Sequence, residues 1–235
     1  MKVTRKPAPK ARTRPDRSDG REKREHLLRV ATRLYAQNGF DRTTSKAICA
    51  AADTNMAAVN YHFGSKDALY AAVLIDAHAQ LVNLDVLEAI AHSDGNPLAR
   101  LRALLGQFLI RPADSEAPAS LRVLVRELMA PSDHAPTLLR KAVLPKIRVM
   151  MHIVASVLDL PVEDPAVQRA MMFVVMPCIM MVIAPRELLR QALPALDADP
   201  ELLLDEMTGY VAAGLDALAR RNRPPLGSSA PPPAA

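Results

Sequence analysis

None of the 20 prolines in this chain falls within residues 16–96. Proline removes a backbone donor and clashes with the preceding turn, so a long proline-free stretch is free to be helical. Alternation of apolar and polar residues with period two is absent along the whole chain, so strands have no signal. The predicted class is all-α. Leu27, Val30 and Leu34 share one helical face, with Leu28, Ala31 and Tyr35 beside them. The spacing predicts a first helix over 19–38, which Gly39 is placed to end in a left-handed conformation. Further on, Ser65 suits an N-cap and Asp67 the first turn of another helix. That helix carries Leu69, Val73 and Ala77 on one stripe, with Tyr70, Leu74 and Leu81 adjoining.

Between these two helices, residues 44–62 have the composition of a helix-turn-helix. Two short helices crossing steeply need small residues at the contact, and Ala47, Ala51 and Ala52 supply them around Ile48 and Val59. The connecting turn needs a left-handed residue. Asp53 stands there, and Asp tolerates that conformation better than most non-glycine residues. Asn55 can cap the second helix. Asn55, Met56, Ala57, Asn60 and Tyr61 then point away from the Ile48/Val59 seam, toward bases in a major groove. The Asn60 amide can donate to and accept from adenine, and Met56 and Ala57 can contact a thymine methyl. Ser45, Lys46, Tyr61, His62 and Lys66 suit phosphates, and Thr44 stands at the start of the motif. Plainer readings stand beside these: Thr44 as an N-cap, Tyr61 as core, His62 as a helix-end histidine, Lys66 as a solvated charge.

Charge supports the nucleic-acid reading. Residues 1–66 carry 15 Lys and Arg against 6 Asp and Glu, a net of +9 that leaves −4 for the remainder of a chain whose total is +5. A basic part joined to a mildly acidic one points to a polyanionic partner. Residues 1–18 mix Pro7, Pro9 and Pro15 with Lys2, Arg5, Lys6, Lys10, Arg12, Arg14 and Arg17, and read as a disordered basic arm. Residues 223–235 read as a disordered tail. The domain boundaries predicted are a helix-turn-helix domain over 19–66 and a helical domain over 67–222.

Other classes have little to rest on. Residues for a nucleophile–base pair, an HExxH motif, a Gly-rich phosphate loop or a metal site cannot be assembled, so no enzyme, metal or cofactor is predicted. Cys49 and Cys178 are far apart and form no CxxC pair, which fits a reducing cytoplasm. The basic start lacks the apolar core of a secretory signal. The apolar run 171–184 has 14 residues and contains Pro177. That is short of the roughly 18–20 needed to span a bilayer, so it reads as a buried helix and no membrane partner is predicted.

The stretch 21–74 resembles the N-terminal domain of the TetR family. The resemblance rests on Ala36, Gln37, Asn38, Gly39 and Phe40, then Thr43, Thr44 and Ile48, and above all on the run from Asn60 through Tyr61, His62, Phe63, Gly64, Ser65, Lys66, Asp67, Ala68 and Leu69 to Tyr70. It implies a homodimer on a palindromic operator, with DNA contacts at Ser45, Lys46, Asn55, Met56, Ala57, Asn60, Tyr61, His62 and Lys66. Three residues depart from the family pattern. Asp53 replaces the usual Gly, Met56 a common Lys, and Asn60 a frequent Tyr. The C-terminal stretch Arg126, Glu127, Leu128, Met129, Ala130, Pro131 and Ser132, followed by Leu144 and Pro145, resembles the CecR-like branch. That branch is associated with control of export and of sensitivity to toxic compounds, and repression is the family default.

Beyond Pro97, helical segments are predicted near 97–111, 117–129, 137–158, 164–183 and 200–221, with kinks at Pro145 and Pro177. Glu127 beside Arg126 reads as an ion pair or surface pair. Seven of the 11 methionines fall at 150, 151, 171, 172, 176, 180 and 181. Methionine suits promiscuous apolar sites, so Met151, Met172 and Met176, with Phe108, His152 and Phe173, are the candidate pocket for a small-molecule effector. The same methionines also read as core or as dimer interface. The functional expectation is a ligand-responsive repressor. The alternatives are a ligand-independent architectural DNA-binding protein and a helical enzyme.

Overall fold

The computed structural model describes residues 17–110, 119–184, 186–197 and 199–222. Among these residues every regular element is helical. The predicted tail and the predicted arm up to residue 16 lie outside the described residues. Arg17 and Ser18, assigned from sequence to the arm, instead open helix α1 (Arg17–Arg42). Asp19 in that first turn favours the helix dipole and receives a bond from Lys23 Nζ at 2.9 Å.

Gly39 breaks α1 as expected, but by a different conformation. Its φ of 80° comes with a ψ of 173°, outside the left-handed helical region and essentially open only to glycine. A Cβ there would also lie 2.9 Å from Arg126 Nη1. The arginine end could shift, so it is the backbone conformation that calls for glycine.

Two short helices follow and form the expected motif, α2 (Ser45–Ala51) and α3 (Met56–Phe63), and the longer α4 (Lys66–Leu81) comes next. Thr44, Asn55 and Ser65 cap them, accepting from the amides of Ala47, Ala58 and Ala68 at 3.1, 3.0 and 3.0 Å. Asp53 has φ 47°, the left-handed turn residue foreseen.

The C-terminal part comprises α5 (Leu84–Ala91), α6 (Pro97–Leu109), α7 (Ala119–Met129), α8 (Ala135–Leu138), α9 (Leu144–Leu158), α10 (Pro165–Ile183), α11 (Arg186–Ala192) and α12 (Pro200–Asn222). Helices α5 and α11 were not foreseen, because two turns are too short for periodicity to register. The segment predicted over 137–158 is divided. A wide π-type turn, Leu139–Val143, separates α8 from α9 just before Pro145. A wider turn relieves the clash of a proline ring with the carbonyl four residues back. Pro177, in contrast, sits inside a continuous α10.

Two apolar cores result. The first joins Leu27, Leu28, Val30, Ala31 and Tyr35 of α1 to Ile48, Cys49, Ala52 and Val59, to Leu69, Tyr70, Val73 and Leu74 of α4, and to Val123 of α7. The second gathers Leu87, Leu101, Leu104, Leu105 and Phe108 with Met150, Ile153, Val154, Leu158, Met171, Val174, Cys178, Leu204 and Leu215. Helix α4 reaches both regions. Its first turns lie in the first core, and near its end Lys146 of α9, 5% exposed, donates from Nζ to the His78 carbonyl at 2.9 Å and contacts His78 Nδ1 at 2.8 Å. Burial and the neighbouring ammonium push the His78 pKa down to about 4, and burial pushes Lys146 down to about 8.

Two sequence expectations are corrected here. Glu127 is no surface pair: it is 4% exposed and bonded to Tyr70 and Ser132. Nor is the apolar run 171–184 fully buried. Met171, Val174, Val175 and Cys178 face the core, while Met172, Phe173, Met176 and Met180 are 46–61% exposed. A helix apolar on every side carries no stripe to say which face goes inward. By length and composition α10 could cross a membrane. Its packed inner face makes it a core helix of this domain.

Candidate nucleic-acid interface

The reading surface is α3. Its inner face is Val59, fully buried against Ile48. That leaves Met56, Ala57, Asn60 and Tyr61 on the outer face, with Tyr61 84% exposed and its ring 5.0 Å from that of His62. His62 is half-buried. The Asn55 side chain is spent on the cap at Ala58, so its exposed amide group offers less for a base than Asn60 does. On α2, Lys46 is exposed and Ser45 half-buried beside the exposed Thr44 cap. Of these residues, Thr44, Lys46, Asn55, Met56, Ala57, Asn60 and Tyr61 are exposed.

Lys66 departs from its expected role. Its Nζ donates to the Phe40 carbonyl at 2.8 Å and lies 4.1 Å from the centre of the Phe40 ring. The ammonium is held by the end of α1 through a charge-assisted bond and a cation–π contact. It positions α4 and does not present a free cation to solvent.

Two supporting residues escaped the sequence reading. Cys49 Sγ lies 3.6 Å from Met56 Sδ, so the buried thiol steadies the side chain that opens the reading helix. Arg24 of α1 places its guanidinium 4.9 Å from the Phe63 ring centre at the other end of that helix. Spacing along the chain carries no signal for either contact, because both cross between helices.

The six candidate effector residues do not surround one cavity. Phe108 is buried in the second core, and Met151 is half-buried against it. His152 is exposed and bonds through Nδ1 to the Arg148 carbonyl of its own helix. Met172, Phe173 and Met176 lie on the outer face of α10, where Met172 and Phe173 border a shallow hollow of about 350 Å³ with Pro165, Gln168 and Arg169. Among the described residues no cluster of three or more His, Cys, Asp or Glu side chains could hold a metal.

Comparison with known proteins agrees with this geometry. Residues 27–73 match the tetR family of bacterial regulatory proteins. Residues 97–218 match the C-terminal domain of the HTH-type transcriptional dual regulator CecR. The HTH-type transcriptional regulator AcrR of Shigella flexneri is 30% identical over 116 residues, 49% of this chain and 52% of that protein. The chain thus spans about half the length of that relative. A tetR-family regulatory protein from Rhodococcus RHA1 superposes with a TM-score of 0.61 at 19% identity, covering 83% of this chain and 97% of that one. AibR, solved with isovaleryl coenzyme A and operator DNA, gives 0.56 at 17% identity, covering 80% and 97%. At these identities the structural likeness speaks for the fold, while the family matches cover most of both cores. The chain belongs to the TetR family and is a DNA-binding transcriptional regulator with a C-terminal domain of the CecR type.

Proposed function

We propose that this regulator is a homodimeric, ligand-responsive repressor of export or toxic-compound resistance genes, released from a palindromic operator by a small apolar effector. The observation that carries the DNA side is the capped, outward-facing α3, with Val59 in the core and Asn60 in solvent. Asn60, Met56 and Ala57 read bases. Ser45, Lys46, Tyr61 and His62 hold phosphates, with Thr44 beside them. The dimer is supported by the outer face of α10, where Met172, Phe173, Met176 and Met180 leave apolar surface that a second copy would cover. The choice of target genes rests on the CecR-type C-terminal domain and the AcrR relative. For the effector, Phe108, Met150, Met151 and Met171 are the flexible or bulky groups between α6, α9 and α10 that an apolar molecule would displace. It would act by favouring one of two domain arrangements.

The test begins with capture of genomic DNA bound by the protein, followed by mobility shifts with and without hydrophobic toxic compounds. Asn60→Ala is expected to weaken operator binding roughly 10- to 100-fold, the cost of one lost base contact, and to leave non-specific binding nearly intact. Equal loss on operator and random DNA would remove Asn60 as a reader. Phe173→Asp, examined by sedimentation, should shift the chain to monomer. A dimer that persists would place the interface elsewhere.

A further inference from the structure

Helix α7 shows an inversion that burial of apolar groups does not explain. At its C-terminal end Leu128 and Met129 are 62% and 71% exposed, while the carboxylate of Glu127 between Arg126 and Leu128 is 4% exposed. Hydrophobic burial alone would favour a turn about the axis that puts Leu128 inside. Specific bonds hold the helix the other way. Glu127 Oε2 accepts from the Tyr70 hydroxyl at 2.9 Å, and Oε1 accepts from Ser132 N at 3.0 Å and Ser132 Oγ at 2.8 Å. Ser132 Oγ in turn accepts from His134 N at 3.2 Å. The carboxylate is thereby shared between α4 and the turn linking α7 to α8.

The surrounding groups converge on the same joint. The Tyr70 ring lies 4.8 Å from those of Tyr35 and Phe40 and 5.3 Å from His134, and His134 Nε2 is 3.4 Å from Asp67. The Arg126 guanidinium rests against Gly39, where a Cβ would lie 2.9 Å from its Nη1, and Lys66 is tied to the Phe40 carbonyl. The end of α1, the start of α4 and the end of α7 meet around one buried carboxylate. Its donors are neutral, and a buried charge of this kind contributes less to stability than apolar packing of the same volume would. What it supplies is direction: three bonds of defined geometry where greasy contacts would tolerate sliding.

We propose that Glu127, with Arg126 and Tyr70, forms a latch that holds the helix-turn-helix unit at one angle to the C-terminal domain. These are positioning residues, distant from the reading face of α3. With the latch opened, the unit samples a range of angles, and apparent operator affinity falls in proportion to the fraction still competent. The effect on DNA rests on the proposed dimer, because only a two-half-site operator requires the recognition helices to stand about 34 Å apart.

The experiment uses the full chain and two mild variants, Tyr70→Phe, which removes one hydroxyl, and Glu127→Gln. Spin labels at Tyr61→Cys and Asp94→Cys, in a Cys49→Ala/Cys178→Ala background diluted with unlabelled protein, report the intrachain distance between the two regions. A single narrow distance is expected for the parent, and a broadened or divided one for either variant while helical content is unchanged. A distribution as narrow as the parent's in both variants would overturn the latch, as would broadening that accompanies only loss of helix. In unlabelled protein, the preference for a full operator over a single half-site should fall about tenfold in either variant, the scale of a typical coupling between sites. Equal loss on both DNAs would mark a folding defect and count against the latch. If the parent itself shows no preference for the full operator, the dimer reading fails, and the distance measurement still decides the latch.

Discussion

Where α2 meets α3 the first core is small, Ala52 and Val59 with Ile48, and larger residues of α1 and α4, Leu27, Tyr35, Leu69 and Leu74, complete it, whereas the second is built mainly from Leu87, Leu101, Leu104, Leu105 and Leu158. The small side chains let short helices cross closely and steeply. Little apolar area is available at that crossing, so the short helices also depend on directional features: three side-chain caps, Asp53 in the left-handed region, and the Lys66 bond to Phe40. The leucine-rich core has side-chain caps of its own at Asn83, Asn96 and Asp164, and each of its fully buried leucines adds about 2 kcal/mol relative to an exposed one. The α2/α3 crossing holds a shape, and the large apolar residues of both cores supply the stability. Helix α4 joins the two, with Leu69 and Tyr70 in the first core and Leu81 packed against the second.

That contrast can be broken by substitution. Leu104→Ala, at a fully buried site, is expected to lower stability by about 2–5 kcal/mol in chemical denaturation. Because α4 ties the cores together, circular dichroism and a label on α3 should report the same transition. Two separate transitions would show that the N-terminal unit stands alone. A smaller effect is expected from His78, where burial depresses the folded pKa to about 4 from an ordinary 6.5. Between those values the unfolded chain binds more protons, so stability falls as pH drops from about 6.5 to 4 and levels off below. His78→Gln keeps a polar partner for Lys146 without that titration. It should flatten the acid limb by an amount on the order of 2–3 kcal/mol, read from denaturation midpoints across that window. A variant whose acid limb matches the parent's would mean that other groups carry it. The smallest effect belongs to the caps. Asn55→Ala should cost about 1 kcal/mol and should weaken operator binding through fraying of α3. If stability is unchanged, the Asn55 bond to Ala58 is not the stop that holds this helix.

The N-terminal unit was the more legible of the two regions. Asn55 and Ser65 as caps, Asp53 as the left-handed residue and Val59 as the inward contact are local features, decided within four or five residues of chain. Local order is what spacing encodes, and the outward placement of Met56, Ala57, Asn60 and Tyr61 follows from it. Lys66 was less legible, because its partner Phe40 lies 26 residues earlier. The C-terminal segments were found in number, yet the faces of α10 were not. With methionine, phenylalanine and valine on every side, Met171 and Met172 are equivalent in composition, and only packing against α6, α9 and α12 made the first inner and the second outer.

The sequence by itself thus determined the helical class, the helix-turn-helix with its caps and turn, and the family. These depend on short-range geometry and on an unbroken proline-free stretch. Tertiary structure alone decided that Glu127 turns inward while Leu128 and Met129 stay in solvent, that Lys66 serves α1, and that the expected effector residues lie apart. Each of those outcomes depends on partners brought together from distant parts of the chain. A buried carboxylate is tolerable only where Tyr70 and Ser132 happen to meet it, and no pattern along one helix can announce that meeting.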